Sequence, residues 1–226
     1  MQSGKNNTPV SQAKSKERIA DHGEVFTAER EVNAMLDLVE QETERIDSRF
    51  LEPACGTGNF LVEIFKRKLS EVEKRYKRNQ LEFERYSVIA ISSIYGVDIL
   101  EDNVQDCGKR LFNIFDEKYT ALYRDKCKEE CRISVRFIIS RNILCGDALT
   151  LKTVGESSHP IVFSEWSAVN GSMIKRRDYT LANLLENQPI DGPNLFSDLG
   201  DEAFIPIPIE EFPLTHFLKL ANNVQA

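Results

Sequence analysis

The sequence has no run of apolar residues close to the ~18–20 that a membrane-spanning helix needs. Its first sixteen residues are polar and lack the apolar centre of a secretory signal peptide. Its five cysteines show no Cys-x-x-Cys spacing, which disfavours a disulfide framework and a zinc site. Cys127 and Cys131 could share one helix face, but two thiols alone do not predict a metal centre. We therefore expect a cytoplasmic protein with reduced thiols, no bound metal and no membrane association.

The chain also has fewer basic than acidic residues. The chain has 29 Lys and Arg residues against 36 Asp and Glu residues, which gives a formal net charge of −7. Affinity for duplex DNA rests on basic side chains that neutralise phosphates, so this balance argues against a free-standing DNA-binding protein. It does not exclude a local basic face. Contacts to DNA through a partner protein are the simpler expectation.

Composition divides the chain into three regions. Residues 1–22 are polar and predict a flexible arm, either an untidy terminus or a segment that contacts DNA. Residues 23–187 carry the apolar periodicity of one domain, and a hydrophobic content of 41% is enough for a core. Residues 188–226 contain five prolines and predict an irregular tail that lies over the domain or on another subunit, with a short helix near its end.

Helical and strand patterns alternate along the domain. Thr27 is predicted to cap a first helix, in which Val32, Met35, Leu36 and Val39 form one buried stripe. Short apolar segments at 49–52, 94–99, 142–145 and 161–165 predict strands, and the segments between the first three have helical periodicity. This order predicts an α/β fold with a parallel sheet and helices on both faces.

Glycines and carboxylates follow the first three predicted strands, where open parallel sheets bind ligands. Gly56 and Gly58 let the chain turn sharply next to a helix N-terminus, and Glu52 places a carboxylate where a cationic amino group could lie. Asp98 is suited to accepting from the hydroxyls of a ribose, and Asp147 from an adenine amino group. Each aspartate taken alone is better explained as a turn or helix cap, but all three signals in register are much harder to obtain by chance.

Two further observations restrict the class of ligand and the chemistry that this loop can support. A third glycine is missing from the loop, which argues against a nicotinamide dinucleotide. Cys55 lies inside the loop without a neighbouring base, so a role as a nucleophile is not expected.

Residues 50–61, FLEPACGTGNFL, closely resemble the S-adenosylmethionine (AdoMet) loop of adenine-N6 DNA methyltransferases, especially the modification subunits of type I restriction systems. Residues 23–27 resemble the segment that covers the cofactor's methionine end in that family, although Ala28 stands where the family usually has proline. Residues 95–99 and 142–149 resemble its two later cofactor motifs. The resemblance spans about 23–165. It implies a Rossmann-like AdoMet-dependent methyltransferase fold with a mostly parallel sheet, incomplete at its C-terminal side.

The resemblance also implies two groups of cofactor-binding residues. Asp98 and Ile99 would hold the ribose and adenine, and Asp147 and Ala148 the adenine edge. The methionine side would be lined by Phe26, Thr27, Glu52, Ala54, Gly56, Gly58, Asn59 and Phe60. Pro53 is a further candidate for binding the cofactor.

One motif of the family is missing. The next strand should end in Asn-Pro-Pro-aromatic, which holds the amino group of a flipped adenine, but this motif occurs nowhere in the chain. The predicted strand continues instead through Ser164, Glu165 and Trp166, which are therefore the positional candidates for catalysis. Trp166 could stack on a base and Glu165 accept from an amino group. The competing interpretation makes Trp166 a core or interface aromatic.

The remaining sequence offers little more chemistry. Residues 170–177 predict a turn followed by a basic strand, read either as a solvated charge run or as a phosphate contact. The family normally adds three further strands and a target-recognition region, and too few residues follow 165 for both.

Two functions follow from the resemblance. The first is an AdoMet-dependent DNA adenine-N6 methyltransferase of restriction-modification type, completed by a protein partner or a second copy that supplies catalysis and DNA recognition. The second is a catalytically inactive methyltransferase-like binding or regulatory subunit. A methyltransferase acting on a small molecule or a protein fits the fold but not the EPACGTGNF loop.

Overall fold

The structure, a computed structural model, describes residues 27–155, 157–186 and 206–223. The predicted arm of residues 1–22, Phe26 and residues 188–205 of the predicted tail lie outside the described residues. All five cysteines lie inside them, and none is in a disulfide. Within these ranges no helix is both long and apolar enough to cross a membrane.

Two short helices open the described chain, α1 (Glu29–Asp37) and α2 (Glu40–Glu44). The N-cap of α1 is Ala28, one residue later than predicted, and no side chain caps the helix. Only half of the predicted stripe is buried, and Val39 lies beyond the end of α1 at Asp37. The buried members of the stripe are Val32 and Leu36, and its exposed members are Met35 and Val39.

Three strands form a parallel sheet, as the alternating pattern predicted. They are β1 (Phe50–Glu52), β2 (Ile94–Asp98) and β3 (Ile143–Cys145), in the spatial order β1–β2–β3. Glu52 lies opposite Gly96, and Asp98 lies opposite Cys145. The register therefore brings the carboxyl ends of all three strands to one edge of the sheet.

Helices make both connections between these strands. The helix that begins at Glu101 runs on to Tyr123. It ends where Arg124 adopts a φ of 51°. The connecting elements are α3 (Asn59–Tyr76) and α4 (Gln80–Ser92) before β2, then α5 (Glu101–Tyr123), a 3-10 turn (Arg124–Lys126) and α6 (Glu129–Asn142) before β3.

Both faces of the central strand β2 are covered, each by a different part of the chain. On one face Gly96 lies so close to its neighbours that a Cβ there would be 2.8 Å from Leu61 and 3.0 Å from the Cys55 thiol. The helix α3 and the loop before it therefore pack directly on this face. On the other face Tyr95 and Val97 pack against residues from later in the chain, namely Ile161, Phe163 and Leu181.

The strand predicted at 161–165 does not join the parallel sheet. It forms β4 (Val162–Ala168) and pairs antiparallel along its whole length with β5 (Met173–Thr180). The antiparallel pairing follows from the short connection through Gly171, since a link of four residues permits a hairpin but not a parallel crossover. The described strands are thus divided between a parallel and an antiparallel sheet.

The last described residues complete the antiparallel sheet and close part of the core. After α7 (Leu181–Glu186), β6 (Glu210–Glu211) and β7 (Thr215–His216) both pair with β5. A 3-10 helix (Phe217–Asn223) follows, and the side chains of Phe217 and Leu220 are buried in the main core. The end of the proline-rich segment therefore packs on the same domain.

Candidate functional site

The loops that follow all three parallel strands converge on Asp98, the last residue of β2. Its Oδ2 accepts from the Gly56 backbone N–H at 2.8 Å, and its Oδ1 accepts from the Leu100 N–H at 2.9 Å. The Asn103 amide donates to the same Oδ1 at 3.1 Å. The backbone oxygen of Asp98 accepts from the Gly146 N–H at 2.9 Å. One buried residue thus ties the three loops together.

These bonds limit what the Asp98 carboxylate can still bind. Each carboxylate oxygen accepts about two hydrogen bonds. Among the described residues, Oδ1 already has two donors, whereas Oδ2 has only the Gly56 N–H. The arrangement leaves room for one ligand hydroxyl at Oδ2, so accepting from both hydroxyls of a ribose would require one of the present donors to move.

Glu52 ends β1 at the same edge of the sheet. Its Oε2 is buried and meets no hydrogen-bond donor among the described residues. Burial, with the nearby negative charge of Asp98 second, raises the pKa of this carboxyl from 4.5 to about 7. Leaving a buried acceptor unpaired is costly. The position therefore favours a ligand that brings a cationic donor.

The loop of residues 53–58 owes its path to two glycines with left-handed backbones. Gly56 has a φ of 53° and Gly58 a φ of 83°. A Cβ on Gly58 would lie 2.4 Å from the Cys107 Sγ, whereas nothing lies within 4 Å of a Cβ on Gly56. Pro53 and Ala54 lie on the exposed side of this loop.

The thiol of Cys55 lies on the buried side. Its hydrogen bond with Cys107 and its burial raise the pKa of the Cys55 thiol, so it stays protonated and is no nucleophile. No group of three His, Cys, Asp or Glu side chains in the described ranges is arranged to hold a metal ion.

A hydrogen-bond chain that sequence reasoning missed joins this loop to two distant segments. Arg110 of α5 donates to the Thr57 carbonyl at 2.6 Å and to the Asn59 Oδ1 at 2.8 Å. The Asn59 Nδ2 in turn donates to the Thr27 carbonyl at 3.2 Å. Phe60, the next residue, is half-buried and packs on the core. The only sequence signal for Arg110 was its place beside the buried residue Leu111.

The third loop combines a rigid turn with exposed apolar side chains. The carboxylate of Asp147 accepts from the Leu149 N–H at 2.8 Å and from the Thr150 hydroxyl at 3.1 Å. The Leu149 N–H bond is the main cause of the lowered pKa of Asp147. Ala148 is partly buried, while Leu149 is 95% exposed and Ile99 is 46% exposed. The turn reading of Asp147 fits this geometry, and the apolar side chains offer a surface for a flat ring.

Residues 24–158 match the family model described as MmeI, DNA-methyltransferase domain. The match covers more than half of the 226 residues. The chain belongs to this family. The matched range contains the three loops that converge on Asp98, so the sequence resemblance to a methyltransferase of restriction-modification type is confirmed. No curated protein and no solved structure matched the chain.

The hairpin of β4 and β5 lies beyond the part that matches the MmeI family model, and it contains Ser164. This side chain is fully buried. Its hydroxyl donates to Asp178 at 2.7 Å and accepts from the Arg176 Nε at 3.1 Å. Arg141 of α6 bonds both Ser164 and Asp178, at 3.4 Å and 3.1 Å. This closed network fastens the hairpin to the methyltransferase domain.

The basic residues of β5 pair with nearby carboxylates, among them Glu165. Glu165 pairs with Arg49 at 2.5 Å, and with Arg177 at 3.5 Å. Lys175 pairs with Glu211 at 2.9 Å. The basic strand noted in the sequence is therefore a ladder of ion pairs across the sheet, and these pairs compete with phosphate contacts.

Trp166 lies inside the core. It is 7% exposed, and its ring meets Phe137 edge to face with the centroids 5.9 Å apart. Its Nε1–H donates to the Asn142 Oδ1 at 3.3 Å. A ring this deeply buried has no free face for a nucleobase.

Proposed function

We propose that the chain binds AdoMet as part of a restriction-modification DNA adenine-N6 methyltransferase and depends on a further polypeptide for catalysis and DNA recognition. The observation that carries the proposal is the unpaired buried carboxylate oxygen of Glu52 beside Asp98. It stands in a domain of the MmeI methyltransferase family. A site with two carboxylates and convergent loops suits a cationic nucleoside ligand.

The residues present fit AdoMet part by part. Glu52 would accept from the ammonium of the methionine end, and the free acceptor position at Asp98 Oδ2 would take one ribose hydroxyl. Ile99 and Leu149, both exposed, would cover the adenine ring. When bound, AdoMet supplies an electrophilic methyl group. The chain's own contribution is to hold the cofactor's charged and flat ends in fixed positions.

DNA recognition and target-base binding are proposed to come from elsewhere. In the described residues, Ser164, Glu165 and Trp166 are committed to packing and pairing inside the chain. The net charge of −7 disfavours independent binding to DNA. A partner subunit with a basic surface and an amide acceptor for adenine would complete the enzyme.

A second function is favoured by the burial of Trp166, namely cofactor binding without catalysis. A regulatory subunit of this kind would need the AdoMet loops but no surface for a flipped base. The two proposals agree on AdoMet and differ only in methyl transfer.

Cofactor binding is tested by calorimetry with AdoMet on the intact chain and on Glu52→Gln. We expect the affinity of the intact chain to rise roughly tenfold from pH 5.5 to 7.5, because only ionised Glu52 pairs with the ammonium and its pKa is about 7. Glu52→Gln should bind more weakly and lose this pH dependence.

The sign for stability is opposite to the sign for binding. Between the unfolded pKa near 4.5 and the folded value near 7, the unfolded chain holds fewer protons at this group. The contribution of Glu52 to the free energy of unfolding therefore falls as the pH rises through this window.

Glu63→Gln is the matched control for the binding experiment, since Glu63 already pairs with Lys66 and Arg67. An intact chain that binds no AdoMet would refute the proposed site.

Methyl transfer separates the two functions. Tritiated AdoMet is incubated with unmethylated DNA, the chain, and each product of the neighbouring genes in turn. Transfer that needs both the chain and one neighbour supports the split enzyme. Transfer by the chain alone contradicts the dependence on a partner, and binding without transfer in any combination favours the regulatory subunit.

A further inference from the structure

Arg110 is anchored at the centre of the hydrogen-bond chain that spans the methionine side of the candidate site. Its Nη1 lies 2.6 Å from the Thr57 carbonyl and 2.8 Å from the Asn59 Oδ1, with the Thr57 hydroxyl at 3.2 Å. Arg110 lies within the long helix α5, so its side chain reaches the loop from a separate element of the fold.

The guanidinium decides which way the Asn59 amide points. Arginine can only donate, so the Asn59 oxygen must face Arg110 and the NH₂ group must face away. That NH₂ group donates to the Thr27 carbonyl at 3.2 Å. Arg110 thereby sets the orientation through which the loop holds the segment that leads into α1.

The loop is held from two sides at successive residues. The Gly56 N–H is bound to Asp98 at the end of β2, and the Thr57 carbonyl is bound to Arg110 on α5. Without Arg110, the Thr57 carbonyl and the Asn59 Oδ1 would lose this donor, while the bonds of the Cys55 N–H to Val97 and of the Gly58 N–H to Cys55 would remain. Binding a ligand would then have to supply the ordering that Arg110 supplies now.

We propose that Arg110 is a positioning residue that fixes the cofactor loop and the Thr27 segment around the amino-acid end of AdoMet. The inference rests on the proposed function, because it concerns the same ligand. It assigns Arg110 to one end of that ligand only. The ribose and adenine end depends on Asp98, Ile99 and the loop at Asp147, which Arg110 does not contact.

The test compares two ligands on Arg110→Met. AdoMet carries the amino-acid end on its sulfonium, whereas 5′-methylthioadenosine keeps the adenosine and the methylated sulfur, as a neutral thioether, but lacks the amino-acid end. We expect Arg110→Met to weaken AdoMet binding roughly tenfold and to change 5′-methylthioadenosine binding by less than about twofold. A purely structural role would weaken both ligands equally. Calorimetry measures both affinities, and circular dichroism checks the fold.

Two more variants serve as controls for this interpretation. Arg132→Met removes another half-buried arginine, whose partners Asp116 and Thr120 lie on α5 outside the loop, and should leave both affinities unchanged. Arg110→Lys keeps one donor and should recover part of the AdoMet affinity, which serves if Arg110→Met does not fold. An intact chain without AdoMet affinity refutes the proposed function, whereas normal AdoMet affinity in both Arg110 variants, or equal loss of both ligands, refutes the role of Arg110 alone.

Discussion

Replacing Trp166 with alanine is expected to lower the free energy of unfolding by about 3–5 kcal/mol, the usual cost of removing a large buried aromatic side chain. The indole is 7% exposed and fills the space between Phe137 and the helix end at Asn142. Its loss leaves a cavity and leaves the buried Asn142 oxygen without its donor, and both effects destabilise. Urea denaturation followed by circular dichroism measures the change.

Trp166→Phe is the matched control because it keeps most of the buried apolar area and loses only the Nε1–H bond. It should cost about 1–2 kcal/mol. Trp166 is the single tryptophan of the chain, so its fluorescence reports this position alone. We expect a blue-shifted emission that DNA leaves unchanged. A Trp166→Ala variant with normal stability and weakened DNA binding would return this residue to a base-stacking role.

The parallel half of the fold was predictable because its signals are local. Each strand of the sheet is a short apolar run followed within a few residues by a glycine or a carboxylate, and the chain order alone implies parallel pairing. The convergence of Gly56, Asp98 and Gly146 follows from that topology, since parallel strands end at one edge. No feature of the sequence indicated that two of the Asp98 acceptor positions are filled by Leu100 and Asn103.

The burial of Lys68 shows a limit of predicting side-chain exposure from helical periodicity. Helical periodicity in the segment that forms α3 does not predict an internal lysine, yet Lys68 is fully buried. Its Nζ donates to the carbonyls of Ile46 and Ser48 and to the Ser93 hydroxyl. Burial lowers the pKa of Lys68 to about 7. These acceptors are far from Lys68 in the sequence. Only the folded structure therefore shows that Lys68 is internal.

The hairpin shows the same limit for a strand. The apolar run at 161–165 was correctly read as a strand, but its neighbours in space are decided by the short turn at Gly171 and by the buried bonds of Ser164 to Asp178 and Arg176. The comparison of motifs gave Ser164, Glu165 and Trp166 only as positional candidates for catalysis. The Ser164 hydroxyl belongs to a polar network in the core, so it is not a surface hydroxyl.

Gly58→Ala is expected to lower the free energy of unfolding by about 2–5 kcal/mol. A left-handed conformation costs an L-residue roughly 1–2 kcal/mol, and forcing a methyl group into a packed site typically adds about 1–3 kcal/mol. The new Cβ would lie 2.4 Å from the Cys107 Sγ, so α5 or the start of α3 must shift. Because Gly58 is the N-cap of α3, that shift moves the cofactor loop, and AdoMet affinity should fall at least roughly tenfold.

Gly56→Ala separates backbone strain from the clash. Gly56 has a similar left-handed backbone, with a φ of 53°, but a Cβ there meets nothing within 4 Å. This variant should cost only about 1–2 kcal/mol. Adding Cys107→Ala to Gly58→Ala removes the sulfur that the new methyl group meets and should restore part of the stability. Equal losses for the two glycine variants, with no rescue by Cys107→Ala, would show that the contact with Cys107 does not restrict this turn and that conformation alone requires glycine there.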